Sequence, residues 1–97
     1  MPRPAAVPTV QIDNEKVKVT EWRFPPGAQT GWHRHAMDYV VVPQTTGALL
    51  LETAAGPVSS ELTAGRSYSR PAGVEHNVVN PGVTEFVFVE IEIKPPA

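Results

Sequence analysis

Residues Gly27–Val42 read GAQTGWHRHAMDYVVV. His33 and His35 stand one residue apart in a segment that ends in the β-branched run Val40–Val42, a composition that suits a strand. Side chains two apart along a strand leave the same face, so the two imidazoles are expected to project side by side. The third histidine, His76, follows RPAGVE, where a proline and a glycine set a tight turn before the chain re-enters strand as HNVVN. If that strand lies beside the first, three neutral imidazole nitrogens converge on one point and leave coordination positions open. Isolated histidines are as readily held by ordinary hydrogen bonds in a core or at a surface, and the H-x-H spacing alone does not separate the two readings.

Working outward, the chain reads as strands. Its 11 prolines are scattered from Pro2 to Pro96 and leave no interval suited to a long helix. Between them lie VKVTEWRF, DYVVV, ALLLE, HNVVN and TEFVFVEIEI, all rich in β-branched or aromatic residues, separated by turn signals such as PPGAQTG, AAGP and NPG. This pattern predicts an all-β sandwich or barrel. In the last strand Val87, Val89, Ile91 and Ile93 share one face, expected to be core. Phe86, Phe88, Glu90 and Glu92 share the other, which begins apolar and ends wet.

At 97 residues the chain is expected to form one domain over 1–97, with a core of roughly residues 10–93 and short, proline-rich, loosely held ends. A formal net charge of −2 and a pI near 5.8 argue against a phosphate-binding surface, so nucleic acid is not an expected partner. With no cysteine there is neither a disulfide framework nor thiolate ligation. No apolar run approaches the roughly twenty residues that span a bilayer, and MPRPAAVPTV lacks the apolar centre of a signal peptide. The expectation is a cytoplasmic protein that makes no membrane contact.

The glycines and prolines around the histidines sharpen the reading. Gly27, His33, His35 and Gly47 match a pattern of glycine, five residues, H-x-H and a later glycine. Gly65, Pro71, Gly73, His76 and Asn80 match G-x5-P-x-G-x2-H-x3-N at every fixed position. In both the chain resembles the cupin superfamily, from about Phe24 to Asn80. The resemblance implies a double-stranded β-helix, or jelly-roll barrel, with His33, His35 and His76 as ligands of one divalent transition metal ion. Fe, Zn, Ni, Mn, Co and Cu stay open as its identity. Gly27 and Gly65 then open strands through turns needing positive φ, Pro71 and Gly73 shape the corner before His76, and Asn80 braces a turn through its amide.

The resemblance fails at one functional residue. Cupins usually place a glutamate ligand three or four residues beyond the second histidine's neighbour, where this chain has Tyr39 and Val40. Strand parity turns Asp38 away from the histidines, and Arg34 and Glu75 likewise. Three neutral ligands leave the ion's charge uncompensated, which favours an anionic or chelating small molecule. Tyr39 becomes the candidate catalytic neighbour, as a hydrogen-bond donor or acid, with packing as its alternative role. Trp32, Met37, Tyr68, Phe86 and Phe88 are the candidate substrate-pocket residues. The function expected is a metal-dependent enzyme acting on a small molecule, with dioxygenase-like chemistry ahead of isomerase or lyase chemistry. The alternative is a non-catalytic ligand-binding or sensor module. Cupins commonly pair, so a homodimer is expected under either.

Overall fold

Alternating apolar and polar residues build nine strands in the computed structural model, which describes residues 2–96. They are β1 (Val7–Asp13), β2 (Val17–Phe24), β3 (His33–Arg34), β4 (Asp38–Pro43), β5 (Gly47–Thr53), β6 (Gly56–Leu62), β7 (Tyr68–Arg70), β8 (Glu75–Val79) and β9 (Phe86–Ile93). One sheet runs β1-β2-β9-β4-β7 and the other β3-β8-β5-β6, every paired strand being antiparallel. The result is the all-β double-stranded β-helix. The five strands expected from composition are present. β1, β6 and β7 are additional, and they are edge or near-edge strands held by their ladders more than by burial. All of β1 is exposed, and β6 buries only Leu62.

β9 is the central strand. It pairs with β2 from Val17↔Ile93 to Phe24↔Phe86, and with β4 from Asp38↔Ile93 to Pro43↔Phe88. The core cluster includes Phe24, Tyr39, Val41, Leu49, Leu62, Val78, Phe86 and Phe88. Phe24 and Phe88 meet with ring centroids 5.4 Å apart, and burying each such ring contributes on the order of 2–3 kcal/mol. The orientation of β9 differs from the sequence expectation. Phe86 and Phe88 point into the barrel and Glu90 follows them, only 9% exposed, whereas Ile93 on the opposite face is 48% exposed. Two large rings outcompete four aliphatic side chains for the interior, and strand parity then carries an acid inside.

The proline-rich start of the chain is not loose at Pro4–Ala6. Gln29 N donates to Pro4 O and Ala6 N donates to Gln29 O, each at 2.9 Å, while Arg3 makes a two-pronged pair with Glu52 at 2.8 and 3.2 Å. Gly27 and Gly65 both take positive φ, 77° and 78°, as the turn reading requires.

Asn80 ties the return of β8 to the end of β2. Its Nδ2 donates to Phe24 O at 3.0 Å and Thr84 O at 2.8 Å, and its Oδ1 accepts from Gly82 N at 3.0 Å. Asn80→Ala leaves these backbone groups without partners in a site that is 2% exposed. The expected loss is about 3 kcal/mol in urea unfolding, and a loss under about 0.5 kcal/mol would contradict the bracing role.

Candidate metal centre

Backbone register assembles the histidines. On the β3–β8 ladder His33 lies directly opposite His76. The ladder continues past β3, since His35 N donates to Val74 O at 2.9 Å and Gly73 N donates to His35 O at 2.7 Å. Gly73 turns here with φ 99°, a conformation that a side chain would strain. His33 and His35 therefore face the same way, toward His76. His35 Nε2 lies 3.0 Å from His33 Nε2 and 3.2 Å from His76 Nε2. The rings stand nearly perpendicular to one another, at 72–88°.

These separations fit a shared cation. Imidazole nitrogens about 2.0–2.1 Å from one ion sit about 2.9 Å apart at right-angle coordination and about 3.3–3.4 Å apart in a tetrahedron. Hydrogen bonding alone serves them poorly. His33 Nδ1 is 2.9 Å from Gly31 O, which only an N–H can satisfy; in the neutral ring this contact leaves the Nε2 lone pair free. His35 and His76 are both pushed down to about 4, chiefly by burial and then by neighbouring positive charge. They are neutral at pH 7 and offer lone pairs. One proton on His35 Nε2 would have to be split between two acceptors, whereas one cation satisfies all three.

An outer network fixes His33. Gly31 N donates to Asn77 Oδ1 at 2.9 Å, and Asn77 Nδ2 donates to Gln29 and Glu52 at 2.9 and 2.8 Å. Glu52 in turn accepts from Arg3. The loop carrying the Gly31 carbonyl is thus tied to the amino-terminal segment, the kind of support that sets a ligand's tautomer. His35 is braced differently, stacked on Tyr39 with centroids 3.9 Å apart and planes 20° from parallel. Burial pushes the Tyr39 phenol up to about 12, so it stays protonated and its hydroxyl can donate.

The triad lines a cavity of about 230 Å³, whose walls include Val41, Leu49, Leu51, Val78 and Phe88. Of the candidate pocket residues, Tyr68 and Phe88 line it, as does Tyr39. Trp32 does not: it precedes His33, has the opposite parity and lies 58% exposed on the outside. Met37 sits at a bend that interrupts the strand between His35 and Asp38, in a surface groove with Ile93 and Pro95. Phe86 points inward below the cavity, packed 3.5 Å from where a Gly47 side chain would begin. Asp38 faces outward and accepts from Ala72 N at 2.8 Å.

Sequence reasoning missed two polar groups in the wall, Glu90 and Arg70. Glu90 was legible in principle, because it shares parity with Phe86 and Phe88. Its carboxyl is pushed up to about 7, first by burial and then by Glu92. The Trp22 indole Nε1 is also buried without a hydrogen-bond partner among the described residues, in a second recess that His33, His35 and Glu90 share.

Comparison with known proteins agrees with this geometry. A cupin domain family matches residues 20–92. The chain belongs to the cupin family. This cupin is 65% identical over 92 residues to the beta-alanine degradation protein BauB of Pseudomonas aeruginosa, covering 95% of this chain and 97% of that one. Among solved structures, a cupin domain from Bordetella pertussis Tohama I is 77% identical with a TM-score of 0.97, covering 98% and 99% of the two chains. A double-stranded β-helix domain protein from Klebsiella pneumoniae, 22% identical with a TM-score of 0.76 over 94% and 77% of the chains, shares the fold.

The buried titratable groups make opposite demands on pH. His35 and His76 bind protons in the unfolded chain below their ordinary value of 6.5 but not in the fold until about 4, so their contribution is present above 6.5 and lost as pH falls toward 4. Glu90 is neutral in the fold up to about 7, so its contribution is present below 4.5 and lost as pH rises toward 7. In metal-free protein, Glu90→Gln should gain stability relative to wild type between about pH 5 and about pH 8, by up to about 3 kcal/mol. Denaturant melts at both pH values measure it, and a pH-independent difference would show that Glu90 is not desolvated.

Proposed function

We propose that this cupin holds one divalent transition ion through His33, His35 and His76 and acts on a small acidic molecule of the kind met in β-alanine breakdown, by dioxygen-dependent chemistry. The convergence of three imidazole nitrogens, at 3.0 and 3.2 Å, in the wall of a largely apolar cavity carries this reading. The 65% identity to BauB supports the metabolic setting. An ion bound there supplies Lewis acidity toward a donor atom of the substrate and, if iron, one-electron chemistry toward dioxygen.

The chain's own residues supply the remainder. Val41, Leu49, Leu51 and Phe88 exclude bulk water around the reacting end of the substrate and strengthen electrostatics there. Tyr39 holds the His35 ring and presents a protonated hydroxyl. Glu90, poised near neutrality, takes or returns a proton at its carboxylate oxygen. The exposed Val7, Val10 and Ile12 on edge strand β1 support a homodimer. The described residues contain no helix long and apolar enough to cross a membrane, and the reading takes the cytoplasm as the place of action.

A second reading, a binding module without turnover, is favoured by one observation. Among the described residues no carboxylate joins the histidine cluster, and Tyr39 and Val40 occupy the places where cupins usually carry a glutamate ligand.

Protein purified without an affinity tag is expected to retain about one transition ion per chain, and His76→Ala to lose it, by elemental analysis. Oxygen-electrode assays of the iron-loaded protein with β-alanine and short carboxylates should show uptake above the His76→Ala background. Retained metal without uptake supports the binding module. Absence of metal from wild type, with no thermal stabilisation by added divalent ions, overturns the metal reading.

A further inference from the structure

Arg70 is the one cation among the described residues in the wall of the cavity that the triad lines. It ends β7, with its Cα opposite Tyr39, and its guanidinium carbon lies 4.9 Å from the centre of the Tyr68 ring. Stacking on Tyr68 restricts the side chain and leaves the planar edge of the guanidinium free. Among the described residues, Arg3, Arg23 and Lys94 spend their charges on Glu52, on Glu21 and Glu85, and on Asp13, while no carboxylate lies within 4.0 Å of Arg70. The acids that share its cavity are Glu75 and Glu90. Glu75 points to the exposed side, and Glu90 is a buried carboxyl on β9, across β4 from β7.

The rest of the cavity wall includes the apolar side chains Val41, Leu49, Leu51, Val78 and Phe88. A cation and three ring nitrogens in one largely apolar cavity specify the chemistry of an occupant. We propose that Arg70 anchors the carboxylate of a short aliphatic acid and directs the opposite end of that molecule at the histidine triad. This rests on the reading of the triad as the reacting centre, and it assigns substrate class and orientation to that site. A fork of two N–H donors matches a carboxylate bidentately, and an amide of equal size cannot accept in that way.

The test uses propionate, β-alanine and propionamide as probes, titrated into metal-free and zinc-loaded protein while the Arg70 Nε–H resonance is followed by NMR. Propionate and β-alanine should shift that resonance in both forms, and propionamide should not. Arg70→Gln should weaken the two carboxylates by roughly tenfold or more, with Arg70→Lys intermediate because it keeps the charge and loses the fork. Zinc affinity should stay within about twofold of wild type in both variants, since Arg70 donates nothing to the ion. Circular dichroism confirms folding at this exposed position. Equal affinity of Arg70→Gln and wild type for carboxylates, equal binding of propionamide, or no carboxylate binding by wild type each overturns the proposal. Carboxylate binding that needs zinc and survives Arg70→Gln overturns it while leaving the triad reading intact. Failure of zinc to bind the triad overturns that reading, and the metal-free titration still decides the role of Arg70.

Discussion

Three imidazoles held nose to nose are the constraint on which the rest of this barrel depends. Lone pairs at 3.0 and 3.2 Å repel unless a proton or cation lies between them, and the fold spends several features on enforcing the approach. Register sets His33 against His76, the Gly73 corner extends the ladder so that His35 joins them, and the Gly31 carbonyl fixes the His33 tautomer. Burial keeps His35 and His76 neutral, so a single ring proton can bridge only one of the two contacts, whereas a metal ion satisfies all three nitrogens.

The chemistry of the surrounding cavity follows from the same burial. Apolar walls keep the dielectric low, so the few polar groups that reach the cavity act strongly. Tyr39 is held protonated and stacked against His35. Glu90 is carried inward by the parity that buries Phe86 and Phe88, and burial leaves its carboxyl near neutrality instead of fully ionised. Arg70 stays at the exposed end, where its charge remains solvated until a carboxylate arrives. A hydrophobic chamber with a neutral ligand set, one proton-handling acid and one cation is suited to a small anion.

Much of the fold was legible because the strands that bury side chains announce themselves. VKVTEWRF coincides with β2, and DYVVV, ALLLE, HNVVN and TEFVFVEIEI each fall within two residues of a strand. The strands that escaped notice, β1, β6 and β7, bury little, and backbone pairing leaves no periodic mark in the sequence. The histidine cluster was legible through H-x-H parity together with the turn before His76. Its pocket was less so. Trp32 has the parity opposite to the histidines, and Met37, which shares their parity, falls on a bend that breaks the strand. Glu90 lies on another strand and Arg70 before the turn that leads to His76, and both are placed through β4, whose Val41 pairs with Glu90 and Tyr39 with Arg70.

X-ray absorption at the metal edge of protein loaded with one equivalent of zinc or ferrous iron tests the central claim most directly. Multiple-scattering features of three imidazoles at about 2.0–2.1 Å, completed by light oxygen donors, are expected. A spectrum fitted by one imidazole or none, or by oxygen donors alone, would show that the converging nitrogens do not meet on an ion.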